Sequence, residues 1–408
     1  MKIRLRLYIT LTVITLLLVF FSECVNRTSH DDPRQNGYVG ATQCMGCHKN
    51  LTDSFFHTAH YESTRMASGE TIAGSFAVDS NTYHYTSDVK VIMEKEDNLY
   101  YQAAYKNDTL VQKHSFDIVV GSGRKAQTYL YWLGDEILQL PVSYFVPANK
   151  WANSPNYPAH QVRFDRNIPI QCFECHGSYI KRTGIEARGE FAVDHFDRNQ
   201  VVYGIDCERC HGPGKEHVAF HQENPEVRSA KFIIPYKDLT RQKKLDMCSV
   251  CHSGIRENLR STFYFRPGTN LNDFMVPDTT SPDISKVDVH GNQYQLLAAS
   301  KCFLSSQLTC STCHNTHVTE RDNMALFSKK CMSCHTPASV KFCKLEPKPG
   351  IILENNCVDC HMPEKISRLI SLQSQGDSAA TPNKVRTHFI SIYQSETNNF
   401  IKAHGLNH

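Results

Sequence analysis

Residues 310–317 read Cys-Ser-Thr-Cys-His-Asn-Thr-His. Cys310, Cys313 and His314 make a complete Cys-x-x-Cys-His, and a second histidine, His317, follows three residues later. The five-residue pattern recurs at Cys44–His48, Cys172–His176, Cys207–His211, Cys248–His252, Cys331–His335 and Cys357–His361. With 17 cysteines and 21 histidines in 408 residues, chance gives roughly 0.04 such matches. Numbered along the chain these are motifs 1 to 7, and the quoted stretch opens with motif 5.

The same cysteines have two other uses, half a zinc site or a small disulfide loop. Zinc takes such pairs two at a time, so seven pairs leave one over, and zinc does not require a histidine after every second cysteine. Covalent attachment of c-type haem requires both: two thiols bond the porphyrin and the histidine ligates iron. The expected attachment thiols are Cys44, Cys47, Cys172, Cys175, Cys207, Cys210, Cys248, Cys251, Cys310, Cys313, Cys331, Cys334, Cys357 and Cys360. The proximal imidazoles are His48, His176, His211, His252, His314, His335 and His361, and the cofactor is seven covalently attached haem c.

The N-terminus reads as an export signal over residues 1–24. Lys2, Arg4 and Arg6 precede thirteen residues, Ile9 to Phe21, that are apolar apart from three threonines, short for a membrane span and long enough for a signal core. Cys24 belongs to no motif and could carry a lipid, although Glu23 before it departs from the small residue that lipoprotein signals favour. An uncleaved anchor and soluble export stay open beside lipidation. The expected location is periplasmic or associated with the outer membrane, with membrane attachment through a Cys24 lipid and residues 25–38 as a polar tether. The net charge of +3 and the absence of long basic runs give no reason for a nucleic-acid partner.

Hydrophobic residues make up 40% of the chain, lean for its length, so flat apolar macrocycles are expected to complete the core. The expected fold is mainly α-helical and irregular, with little regular secondary structure and one small antiparallel β-sheet inserted after motif 1. Residues 39–74 carry motif 1. Residues 75–147 alternate in strand-like runs broken by Asn, Asp and Gly. Residues 148–365 hold motifs 2 to 7 on short helices and loops, and 366–408 form a C-terminal strap and tail. Within this plan, "NLTDSFFHTAHYESTRMAS" after motif 1 reads as an amphipathic helix, and Thr240 as the N-cap of a helix running into motif 4.

Fourteen histidines remain after the proximal seven. Three residues span at most about 10 Å, so His317 cannot pass round the macrocycle on His314 and must serve another haem if it serves any. His217 follows His211 by six residues, across a turn at Gly212-Pro213-Gly214. The expected distal ligands are His60, His217, His290, His317 and His388, with His57, His160, His195 and His221 in reserve. His84 and His114 read as sheet residues. Cys302 and Cys343, outside the motifs, are expected to form a disulfide in an oxidising compartment.

The stretches "YVGATQCMGCHKN" followed by "HTAH", "YGIDCERCHGPGKEHV", "LTCSTCHNTHV" and "CVDCHMP" resemble the cytochrome c554 family of multihaem cytochromes. They are similar, more distantly, to pentahaem nitrite reductase and octahaem hydroxylamine oxidoreductase. The resemblance implies mostly His/His haems in stacked and perpendicular pairs, passing electrons between redox partners, quinol-linked or other cytochromes. It departs from the nitrite reductase, whose catalytic haem uses Cys-x-x-Cys-Lys, because no lysine follows any pair here. The expected function is electron transfer along a chain of haems. The alternative is an oxidoreductase acting on a small nitrogen or sulfur compound at one five-coordinate haem. A pyridine haemochrome assay against protein concentration, with the intact mass, is expected to return seven haems per chain; six or fewer in matured protein contradicts the reading.

Overall fold

The computed structural model describes residues 32–404 except 36, 278–282, 337, 339–341, 344, 346–352 and 375–380. The export segment, Cys24, His30 and His408 lie outside the described residues. Among the described residues, no helix is long and apolar enough to cross a membrane.

The long interval between motifs 1 and 2 alternates apolar and polar residues and folds as strands. Thr82–His84, Val89–Glu96, Leu99–Lys106 and Thr109–Ser115 form a four-stranded antiparallel sheet. Its last hairpin closes on Asn107 and Asp108, at φ 50° and 58°, two left-handed residues whose twist suits a two-residue turn. One face carries Tyr83, Val91, Met93 and Ala104 into a core shared with Tyr129, Leu140, Val142 and Trp151 of a second sheet. Gln102, fully buried, joins the two sheets: its Nε2 donates to the Val142 carbonyl at 2.6 Å and its Oε1 accepts from the Val142 N–H at 3.0 Å. A buried strand thereby meets its hydrogen-bonding needs through a side-chain amide. At Gly74 a Cβ would collide with the Trp151 ring, so the chain crosses that indole only as glycine.

The second sheet overturns the expectation of a mainly helical and irregular fold with one small inserted sheet. It has nine antiparallel strands. Thr64–Met66, before the expected insertion, pairs with Ile118–Val120, and Glu364–Ser374, after motif 7, pairs with Lys150–Asn153 and with Thr381–Arg386. The expected C-terminal strap is thus in part sheet, followed by a helix over Gln394–His404. A separate hairpin, Gly177–Arg188 with Phe191–Tyr203, rises directly out of motif 2. These late strands mix charges into both faces, so the two-residue period that marks a half-buried strand is faint in them. The helix expected after motif 1 is also shorter than its pattern. Motif 1 itself lies in the Ala41–Phe55 helix, which ends where Thr58 Oγ1 donates to the Phe55 carbonyl at 2.7 Å, a local bond that competes with helix continuation.

The motifs favour short helices for a geometric reason: positions i, i+3 and i+4 share one helical face, which puts both thiols and the imidazole together. Motifs 2, 3 and 7 lie within Ile170–His176, Cys207–His211 and Cys357–His361, and motif 4 ends Arg241–His252. Thr240 caps that last helix as expected, its side chain accepting from the Lys243 N–H.

One buried charge cluster pins motifs 1 and 3 together. Arg34, 2% exposed, bonds Asp32 at 2.7 Å, Asp206 at 2.7 Å and Glu208 at 2.9 Å. The end of the expected tether is therefore packed into the fold. Glu208, inside motif 3, accepts from the backbone N–H groups of Val39, Gly40 and Gly214, and Gly40 caps the motif 1 helix. Burial lifts the Glu208 carboxyl above its usual range, against the pull of Arg34 and those N–H groups. Removing the guanidinium leaves three buried carboxylates uncompensated, so Arg34→Ala is expected to lower unfolding stability by about 3–5 kcal/mol, measured by denaturant titration. A loss under about 1 kcal/mol, the scale of an exposed pair, contradicts this role.

Candidate functional site

Motif thiols meet across motifs. Cys44 of motif 1 lies against Cys207 of motif 3, Cys175 of motif 2 against Cys251 of motif 4, Cys248 of motif 4 against Cys310 of motif 5, and Cys331 of motif 6 against Cys357 of motif 7. In each pair the two thiols are near enough to perturb one another. Cys210 of motif 3 also lies within electrostatic reach of Cys251, and Cys331 of motif 6 within reach of Cys313. The spatial order is therefore 1–3–4–5–6–7 with motif 2 set beside motif 4, which differs from the order along the chain.

The imidazoles follow the same map. His48 of motif 1 faces His217, ring centres 6.4 Å apart and planes at 16°. His211 of motif 3 faces His317 at 5.9 Å and 23°, and His314 of motif 5 faces His388 at 6.1 Å and 30°. His252 of motif 4 faces His60 at 6.1 Å with planes at 88°. His176 of motif 2 is pushed down to about 4 by burial and then by His290 and His252 nearby. All five expected distal histidines thus lie by a motif imidazole belonging to another segment.

The spacing fits a haem iron. Two metal–imidazole bonds of about 2 Å, with roughly 1 Å from each nitrogen to its ring centre, place the centres about 6 Å apart. Protonation is held off as ligation requires: burial, then neighbouring imidazoles, pushes His60 and His388 down to about 4 and lowers His211, and burial lowers His290, His314 and His317. His217 Nδ1 lies 2.8 Å from the Lys231 carbonyl and His361 Nδ1 2.9 Å from that of Ser391. A carbonyl only accepts, so each Nδ1 carries the proton and each Nε2 keeps its lone pair for a metal. Cys47, Cys172, Cys210 and Cys334 are exposed, unusual for thiols, which are among the most buried side chains; their bonding atoms are presented to something other than protein.

The reserve histidines stand elsewhere. His57 and His160 are exposed. His195 bonds Asp135 at 2.9 Å and approaches Glu186 at 3.4 Å in a surface ion cluster with Glu136 and Arg188. His221 packs edge-on against His217. His84 ends a strand, and His114 lies in one, its ring tilted against that of Tyr131 with centres 4.0 Å apart. The carbonyls of Lys231 and Ser391, which orient imidazoles, were not singled out by the sequence reading, since any residue supplies a carbonyl.

The expected disulfide is absent: Cys302 and Cys343 are both free. Cys302 lies on the motif 6 side, within reach of Cys334, and Cys343 on the motif 7 side, within reach of Cys360.

Residues 149–212, which contain motifs 2 and 3, match the family model described as cytochrome c554 and c-prime. Over 194 residues the chain is 26% identical to a protein named multiheme cytochrome MtrA from Shewanella baltica. That match covers 47% of this chain and 45% of the relative, less than half of the relative's length. No solved structure matches the chain. Alkylation without reductant, followed by mass spectrometry, is expected to label both Cys302 and Cys343; a linked, unlabelled pair contradicts the geometry.

Proposed function

We propose that the chain is an exported heptahaem cytochrome c that passes electrons along closely packed haems between redox partners, quinol-linked donors or other cytochromes. The observation that carries this reading is the set of imidazole pairs in which the motif histidines of motifs 1 to 5 each lie by a histidine from a different segment. Similarity to the cytochrome c554 family and to a multihaem cytochrome points the same way.

In this reading the fourteen motif cysteines hold seven haems through thioether bonds. The residues that would hold the irons of motifs 1 to 5 are His48 with His217, His176 with His290, His211 with His317, His252 with His60, and His314 with His388. Haem supplies a one-electron iron couple and a flat conjugated ring. The chain fixes how those groups meet. With the haem bound, a neutral imidazole from each side would be available to its iron, and the chain would offer the same pair of ligands in either oxidation state. The Lys231 carbonyl fixes the tautomer and tilt of His217. Because the thiols of motifs 1 and 3, 2 and 4, 4 and 5, and 6 and 7 lie near one another, haems attached through them would sit as neighbours, as electron tunnelling requires. A catalytic reading needs an iron with an exchangeable face, and at motifs 1 to 5 a second imidazole stands by the motif histidine.

The histidine that ended the opening stretch provides the test. His317→Ala is expected to convert one haem, the one held on His211, from low-spin to high-spin with all covalent attachments intact, read by absorption and EPR spectra beside intact mass. An unchanged low-spin spectrum at full haem content removes His317 from the ligand set.

A further inference from the structure

The buried ion cluster lies between two motifs, and its charges do not balance. Asp32, Asp206 and Glu208 surround the single guanidinium of Arg34, so with all three ionised two negative charges stay unmatched. The four side chains are 1–5% exposed, and solvent screens them little. Among the described residues the neighbouring cations are engaged elsewhere or lie at the surface: Arg209 donates to the Thr262 and Glu174 carbonyls, Arg266 lies by the Tyr38 hydroxyl, and Lys215 is exposed. Burial raises the phenols of Tyr38 and Tyr61, which stay neutral. Asp206 and Glu208 also act on the thiols of Cys44 in motif 1 and Cys207 in motif 3. A thioether bond fixes the edge of a haem at its sulfur, so a charge that reaches these thiols reaches the edges of both rings.

We propose that this cluster is a proton-uptake site: Glu208 binds a proton when a haem on motif 1 or motif 3 is reduced, which links electron entry there to proton uptake from solvent. The balance is one electron from a redox partner to iron, Fe(III) to Fe(II), and one proton from solvent to a carboxylate oxygen, with no bond broken elsewhere. Reduction removes one positive charge from the iron and its ring, which strengthens the hold of the neighbouring carboxylates on a proton. Glu208 is the acceptor, because burial already lifts its carboxyl above the usual range against the pull of Arg34 and the backbone N–H groups of Val39, Gly40 and Gly214. Uptake is confined to a window of pH. Below the Glu208 pKa of the oxidised protein the proton is already bound, and above that of the reduced protein it does not bind. Between the two, the midpoint potentials of the nearest haems fall as pH rises. The inference rests on the haem reading, and full haem content with low-spin spectra in the same sample separates its failure from the failure of that reading.

The test uses the full-length, haem-loaded protein. In the reduced-minus-oxidised infrared difference spectrum, the carbonyl stretch of a protonated carboxyl is expected to appear on reduction, to shift in deuterated water and to be missing in Glu208→Gln. Total proton uptake on full reduction, read with a pH indicator inside the window, is expected to be lower in that variant by up to about one proton per chain. Asp32→Asn leaves Glu208 in place and removes one of the charges beside it, so it is expected to move the pH of half-maximal uptake downward; it also serves where Glu208→Gln does not fold. No carboxyl band in the wild-type protein at any pH, a band that persists in Glu208→Gln, or an unshifted window in Asp32→Asn overturns the site.

Discussion

A neutral imidazole from one segment set by the motif imidazole of another is the contact on which the rest of this architecture depends. His317 cannot make it with its own motif, because three residues, at most about 10 Å, do not reach round a macrocycle. Each such pair therefore ties two distant parts of the chain to one point: His60 to motif 4, His217 back to motif 1, His317 back to motif 3, and His388 to motif 5. Short helices suffice where the cross-ties are this many. The Cys310–Cys313 and Cys357–His361 helices have four and five residues, far below the length at which an isolated helix holds in water. Their stability comes from what they are attached to.

The buried ion cluster shows the same economy of anchorage by other means. Glu208 is a spacer residue of motif 3, with no part in attachment, yet it receives the backbone of Val39, Gly40 and Gly214 and the guanidinium of Arg34. The start of the motif 1 helix, the turn after motif 3 and the guanidinium of the N-terminal entry segment converge on one carboxylate. Gly212, at φ 80°, permits the reversal that brings the Lys215–Glu223 helix, and with it His217, back over motif 1.

Much of the candidate site was legible because its chemistry is written in fixed spacings. The seven motifs needed only counting, and three of the opposing histidines could be argued from reach and context: His317 by its distance from His314, His217 by the glycine-rich turn before it, and His290 by the glycine after it. The sheet was less legible. Residues 75–147 alternate clearly and do form strands, but Thr64–Met66 lies in a stretch whose aromatic spacing imitates a helix, and Glu364–Ser374 alternates Lys, Ser and Arg with Ile and Leu so that neither face reads as apolar. Its burial is decided by pairing with Lys150–Asn153, over two hundred residues away in sequence, and no local pattern carries that information. Arg34 was hidden for a related reason, since an arginine in a polar run gives no sign that three carboxylates will enclose it.

The right angle between His60 and His252 sets motif 4 apart from its neighbours. Near-parallel imidazole planes, as at motifs 1, 3 and 5, donate mainly into one of the two π-symmetry d orbitals of an iron between them and lift it above the other. Crossed planes donate into both alike, leaving the two orbitals close to degenerate and the orbital part of the magnetic moment largely unquenched. Motif 4 is also where three neighbours meet through Cys248, Cys251 and Cys210. An iron held between His60 and His252 would thus carry its own electronic signature, imposed by nothing more than the direction from which one histidine arrives.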